Sequence, residues 1–165
     1  SKYFNLAVDD ELTFALQGAL YNAQNILDIQ ADADDYAAYP NFSKAIRDEL
    51  TAAIKSAEGA KTDEAKQQAI DNLGALVEKA KASQQTYIKA MDAAHKTIDF
   101  VNKNMIDALN DDQVAEIEDL QDQIVASFLN GSYGDDAVDQ VNKAMEGISF
   151  YKYIYGTEPE MVDGA

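Results

Sequence analysis

The hydrophobic positions between residues 70 and 108 recur at alternating steps of three and four residues. This spacing places them on one seam of an α-helix. Apolar side chains occupy eleven of the twelve positions, and Gln84 is the polar exception. The seam consists of Ile70, Leu73, Val77, Ala80, Gln84, Tyr87, Met91, Ala94, Ile98, Val101, Met105 and Ala108. The pattern predicts a long helix that packs lengthwise against other helices.

This central helix is predicted to begin after an N-cap at Thr62, where Asp63 and Glu64 suit the positive end of the helix dipole. It is predicted to end near Leu109, which gives a length of about 70 Å at 1.5 Å per residue. The polar residues 83–85 are its weakest point. A loop there would reset the phase of the seam, and because the phase is kept, one continuous helix is favoured.

Four shorter helices are predicted around the central one. Their approximate ranges are 9–30, 42–58, 110–130 and a last helix from 135 onward. Asp9 or Asp10 is a candidate cap for the first, and Asn41 or Ser43 for the second. The segment 149–155 also alternates between apolar and polar residues, so it fits either a helix or a short strand.

The helix lengths predict an all-α fold. It is an elongated helical bundle in which two three-helix bundles share one long central helix. The first bundle takes residues 1–83, the second takes residues 84–156, and residues 157–165 form an acidic linker or tail. The alternative is a compact up-down bundle with a break near residue 84.

Composition narrows the possible partners. The chain of 165 residues has 30 acidic and 13 basic side chains, a net charge of −17, and no cysteine. So acidic a surface repels phosphate, which disfavours nucleic acid and anionic membranes as partners. No segment approaches about 18 consecutive apolar residues, so no membrane insertion is expected. Without cysteine there is neither a disulfide framework nor a thiolate metal site.

The passage from Leu12 to about Ala80 carries a recognisable set of motifs. A loop contains Tyr39, Ser43 begins the next helix, and alanine and leucine then follow at helical spacing. The runs are Leu50-x-x-Ala53-Ile54-x-x-Ala57 and Ala69-Ile70-x-x-Leu73-x-x-Leu76-Val77-x-x-Ala80. This passage resembles the FIVAR type of small helical module. The resemblance implies a large secreted or surface-anchored bacterial protein, often one associated with glycan-active enzymes, and a packing role for Tyr39 in its loop.

The single histidine, His95, has Asp92 three residues before it and Asp99 four residues after it on the same flank of the helix. A metal site or an acid–base pair needs imidazole and carboxylate groups this close. Carboxylate-bridged dimetal bundles, however, use two histidines in paired motifs. The favoured interpretation is a solvated histidine beside aspartates. Asp92, His95 and Asp99 are therefore weak metal candidates, and no cofactor is expected.

Aromatic residues are concentrated near the end of the chain. Exposed aromatic rings can stack on sugars or anchor a protein partner, although in small bundles they more often seal the end of the core. The candidate ligand-binding residues of this tyrosine-rich end are Phe150, Tyr151, Tyr153 and Tyr155.

No phosphate-binding glycine loop, G-x-S-x-G, H-E-x-x-H or C-x-x-C motif is found, so no catalytic residue is predicted. We therefore expect a non-enzymatic helical spacer or adhesion module of a secreted or cell-surface bacterial protein. Its expected partners are the flanking domains of a longer polypeptide. The alternative is a module that binds a glycan or a surface protein through the tyrosine-rich end, and a remote alternative is metal binding at His95.

Overall fold

The structure is a computed structural model that describes residues 2–156, with side chains described from Glu11 to Tyr155. Within that part the chain forms five α-helices and two short 3-10 helices, and no strand. The predicted linker at 157–165 lies outside the described residues. The elements are α1 (Lys2–Leu27), α2 (Lys44–Glu58), α3 (Asp63–Asn104), a 3-10 helix (Ile106–Ala108), α4 (Asp111–Asn130), α5 (Ala137–Glu146) and a second 3-10 helix (Tyr151–Gly156).

The predicted all-α bundle around one long helix is confirmed. Helix α3 contacts all four other α-helices. Two clusters of buried side chains lie along it, one shared with α1 and α2 and the other with α4 and α5. Residues 83–85 are helical, so the alternative with a chain reversal near residue 84 is wrong. The domain limits assigned from the sequence stay a prediction.

The seam predicted along α3 accounts for most of its buried face. Nine of the twelve positions are buried, from Leu73 to Val101 and including Gln84. Ile70 and Met105 are half-buried, and Ala108 is exposed. The seam fails at its end because α3 stops at Asn104 and the chain tightens into a 3-10 helix.

Most helix ends follow the predicted capping chemistry. The Thr62 hydroxyl accepts a hydrogen bond from the Ala65 N–H at 3.1 Å, and the Ser43 hydroxyl accepts one from the Ile46 N–H at 3.3 Å. Asn110 forms a capping box with the glutamine three residues later. These side chains satisfy backbone donors that have no partner inside the helix.

Other boundaries differ from the prediction. Helix α1 begins at Lys2, so neither Asp9 nor Asp10 caps it; residues 2–8 contain no glycine or proline to stop the helix. Phe42 precedes the cap of α2 and is fully buried. The last segment is a 3-10 helix rather than an α-helix or a strand.

The two cores meet at a waist, which we define as residues 41–44, 83–84 and 128–131. Because α4 runs back along α3, its C-terminal end reaches the N-terminal end of α2 here. Hydrogen bonds join these two ends: the Asn41 amide donates to the Phe128 and Leu129 carbonyls at 2.8 and 3.2 Å, and the Lys44 N–H donates to the Gly131 carbonyl at 2.9 Å. The Ser43 N–H donates to the Ser83 hydroxyl at 3.0 Å, which joins the start of α2 to α3.

The loop between α1 and α2 also crosses the waist. Ala31, Ala33 and Tyr36 pack on the second core, although the loop follows a helix of the first. The Tyr36 ring stacks on His95 with 5.3 Å between ring centroids, and its hydroxyl donates to the Asp92 carboxylate at 2.6 Å. The loop therefore ties the two halves of the molecule together.

Candidate functional site

The tyrosine-rich end is divided between core and surface. Phe150 is 2% exposed and Tyr151 is half-buried, so Phe150 seals the second core rather than facing a ligand. Tyr153 and Tyr155 remain on the surface, with 51% and 39% of their areas exposed. Of the four predicted binding residues, these two present the largest exposed rings.

Tyr155 is held against α3 in a fixed orientation. Its backbone has a φ of 60°, a left-handed conformation that is uncommon for residues other than glycine. The ring centroid lies 4.3 Å from that of Phe100, and the Lys96 ammonium lies 5.5 Å from the Tyr155 ring centroid. The Tyr155 hydroxyl is 3.4 Å from the Thr97 hydroxyl. These contacts restrict the ring before any ligand arrives.

The three metal candidates do not converge. His95 Nδ1 lies 3.7 Å from the Asp99 carboxylate, whereas the Asp92 carboxylate accepts the Tyr36 hydroxyl. Among the residues whose side chains are described, no three His, Cys, Asp or Glu side chains are grouped to hold a metal ion. Burial raises the pKa of Tyr36 to about 12, and the hydrogen bond to Asp92 and the negative charges of Asp92 and Asp99 raise it in the same direction.

The family resemblance assigns Tyr39 a packing role in the loop between α1 and α2. Its side chain is 49% exposed. Its backbone closes the loop instead, because its carbonyl accepts from the Asp32 N–H at 3.0 Å and its N–H donates to the Asp35 carbonyl at 2.9 Å. Tyr36 makes the side-chain contacts of this loop.

An open groove, which is not among the predicted sites, runs between α1 and the first half of α3. It has a volume of about 840 Å³ and is lined by residues between Ala15 and Ile29 on one side and between Ile70 and Gln84 on the other. Each wall is about 21 Å long at 1.5 Å per residue. Helix α2 contributes no residue to either wall.

The groove owes its depth to small residues. Gly18 on α1 and Gly74 on α3 line it, and a Cβ added at either position would meet no neighbouring atom within 4 Å. Glycine inside a helix costs about 1 kcal/mol relative to alanine. Since no close contact in the fold requires these two glycines, their effect is to widen the groove.

The outer face of α1 beside the groove is also unusual. Phe14 and Tyr21 are 72% and 68% exposed, and they lie on either side of Gly18 at helical spacing. Residues 12–27 contain no charged side chain, in a chain that is 26% charged. Exposed large apolar side chains on an uncharged helix face are typical of contact surfaces when they form a continuous patch.

Gln84 lies at the end of the groove nearest the waist. It is 7% exposed and lines the groove, and its side chain has no hydrogen-bond partner within the part of the chain that the structure describes. An unsatisfied buried amide costs about 1–3 kcal/mol. The one polar position of the predicted seam thus faces the groove.

One signal for this groove was present in the sequence. The uncharged run at 12–27 predicts a helix without a solvated face, but a core stripe through Leu12, Leu16 and Leu20 explains only part of it.

Comparison with known proteins identifies no family: no protein-family model, no curated protein and no solved structure matches this chain.

Proposed function

We propose that the protein is a non-enzymatic helical spacer or adhesion module of a secreted or cell-surface bacterial polypeptide. The observation that carries this proposal is that α1 and the last described segment lie beside opposite ends of α3. Thr13 in α1 lies beside Lys66 near the start of α3, with 3.4 Å between hydroxyl and ammonium. Tyr155 lies beside Thr97 near its end. Because α3 connects these points, they are about 47 Å apart along the helix axis.

A spacer must also resist bending at its middle. The waist supports this role because the two cores are joined there in three ways. Helix α3 and the loop between α1 and α2 cross the waist, and α2 contacts α4 at it. The buried hydrogen bond from the Asn41 amide to the Phe128 carbonyl fixes the contact between α2 and α4, and the Ser43 N–H joins the start of α2 to α3. A flexible linker of the same length has no such cross-bracing, and its ends sample a broad range of distances.

The test places a donor and an acceptor fluorescent protein at the two ends of the full chain. Single-molecule energy transfer should give one narrow distance distribution. The variant Ala82→Pro, which interrupts α3 at an exposed position beside the waist, should broaden it. The control Asp63→Pro occupies the first position of α3, where proline is tolerated. An equally broad distribution for the unmodified chain and for Ala82→Pro would contradict a spacer.

A second candidate function, binding of a glycan or a surface protein, is favoured by the exposed rings of Tyr153 and Tyr155. The Lys152 ammonium lies 5.2 Å from the Tyr153 ring centroid, which places a cation and an aromatic face together on the surface. On a glycan array, the chain with both tyrosines changed to alanine should lose binding while keeping its helicity. Tyr39→Ala, which alters an exposed tyrosine elsewhere, is the control. Absence of binding by the unmodified chain would contradict this candidate.

A further inference from the structure

Helix α2 shows how a helix can pack into a groove between α1 and α3. These two helices run in the same direction and form two grooves, of which α2 fills one. Its N-terminal end lies at the waist, where the Ser43 N–H donates to the Ser83 hydroxyl on α3. Ile46 and Leu50 on its inner face are buried between α1 and α3.

The second groove, between the same two helices, also has apolar walls and a polar residue at its waist end, but no described helix fills it. Its walls are about four helical turns long, and apolar side chains including Ile26, Leu73 and Val77 line it. Gln84 lies at its waist end, next in sequence to the Ser83 that serves α2. Within the described part of the chain the buried Gln84 carboxamide has no hydrogen-bond partner, and it marks the position at which the end of a second helix would donate or accept a hydrogen bond.

The charged residues around the groove favour a basic partner. Glu11 and Asp28 bound the uncharged run of α1, and Asp71 and Glu78 lie one turn before and after Gly74 on α3. Among the described residues that line the groove, Glu78 and Lys81 are charged and lie 3.6 Å apart, so the excess of acidic charge comes from Glu11, Asp28 and Asp71 beside it. With a net charge of −17, a second copy of this chain is repelled, whereas a basic helix is attracted.

We propose that the groove between α1 and α3 docks an amphipathic helix of a partner protein. The helix is about four turns long, with an apolar face, basic flanks and a polar end that hydrogen-bonds Gln84. Its large apolar side chains occupy the space above Gly18 and Gly74, and Phe14 and Tyr21 cover its outer side. This docking does not depend on the spacer role.

A synthetic helical peptide of about 14 residues, with leucines on one face, lysines on the flanks and one tryptophan, provides the probe. The chain has no tryptophan, so peptide fluorescence reports binding alone. A matched peptide carries glutamates in place of lysines. The lysine peptide should bind the full chain at least about tenfold more tightly than the glutamate peptide, and its affinity should fall as salt rises.

Two variants assign the binding to this groove. Gly74→Leu fills the groove, and since an added Cβ meets nothing within 4 Å, it should fold with an unchanged or higher Tm. Gln84→Leu removes the unpartnered amide from a buried position and should also raise the Tm. Both should weaken lysine-peptide binding by about tenfold or more. Ala82→Leu, on an exposed face of α3 outside the groove, should bind like the unmodified chain.

Three outcomes would overturn the proposal. The first is no binding of the lysine peptide, or equal binding of the two peptides. The second is that Gly74→Leu and Gln84→Leu, with helicity intact by circular dichroism, bind as tightly as Ala82→Leu. The third is a dimer of the unmodified chain in sedimentation velocity that Gly74→Leu dissociates, which would assign the groove to a second copy.

Discussion

At the residue scale, Gly131 is a position that no other residue fits well. It ends α4 with a φ of 67°, and a Cβ there would lie 3.0 Å from both the Lys44 nitrogen and the Phe42 carbonyl oxygen. Those atoms are backbone and cannot rotate away. Gly131 therefore combines a left-handed conformation with a close approach of two segments at the waist.

We expect Gly131→Ala to lower the free energy of unfolding by about 1–3 kcal/mol, from backbone strain and the close contacts. Urea denaturation followed by circular dichroism measures this. Gly59→Ala is the matched control, because Gly59 ends α2 at a φ of −89° and a Cβ there meets its nearest neighbour at 3.5 Å. Equal effects of the two substitutions would contradict the role given to Gly131.

Buried tyrosines make stability depend on alkaline pH. Burial raises the pKa of Tyr36 to about 12 and raises the pKa of Tyr87 and Tyr133 above the ordinary value. Because the pKa of these hydroxyls is higher in the folded state, the unfolded chain releases their protons at a lower pH than the folded chain does. The stability contributed by the neutral hydroxyls is thus complete below pH 10 and is lost as pH rises through the folded values.

The Tyr36→Phe variant tests this dependence. It should lose less of its unfolding free energy between pH 10 and pH 12 than the unmodified chain, since phenylalanine has no proton to release. Urea melts at a series of pH values measure the difference. Tyr21→Phe alters an exposed ring and is the control. If Tyr36→Phe follows the unmodified chain over this pH range, the assignment is wrong.

At the element scale, the helices differ in how far the sequence determines them. The period of the seam and the cap at Thr62 predict α3 because these signals are local. The start of α1 and the end of α3 were misplaced by several residues. At these two positions several residues could end the helix. The boundary depends on packing against other segments, which the local sequence does not show.

The groove could not be predicted from periodicity, because it depends on which sides of α1 and α3 are left uncovered. In the sequence, Gly74 indicates only a weaker helix propensity, because its lack of a side chain does not show what lies beside it. The seam assigned Gln84 to the core but could not indicate that its amide lacks a partner. Of the predicted binding residues, Phe150 belongs to the core. The sequence does not show this, because it does not distinguish an aromatic ring that seals a bundle from one that faces solvent.

Helix α3 provides a prediction at this scale. Gly74→Ala should raise the free energy of unfolding by up to about 1 kcal/mol, because alanine is the better helix former and the added methyl group meets no atom within 4 Å. Thermal unfolding measures the change. A lower stability for Gly74→Ala would mean that the fold itself needs the glycine, and the open groove would lose its basis.

At the scale of the whole molecule, the waist decides whether the two cores act as one body. The Asn41 side chain donates to two carbonyls of α4 and accepts from the Arg47 guanidinium at 3.0 Å. Removing it leaves buried partners unsatisfied on both sides of the contact. Each such loss costs about 1–3 kcal/mol.

We expect Asn41→Ala to lower stability by at least about 1 kcal/mol and to separate the unfolding of the two cores. Native-state hydrogen exchange is the appropriate measurement, with amides of α2 and α4 followed separately. In the unmodified chain they should exchange through a common opening. Ser56→Ala, at an exposed position of α2, is the control. Separate openings already present in the unmodified chain would contradict a rigid waist.

The most direct test of the central claim, that one uninterrupted helix joins both cores, is a distance along α3. The chain has no cysteine, so Glu64→Cys and Lys103→Cys at exposed positions give two unique sites for spin labels. Pulsed electron paramagnetic resonance should yield a single narrow distribution near 58 Å, from 39 residues at 1.5 Å each. A second population, or a distance shortened by a bend near residue 84, would contradict the account.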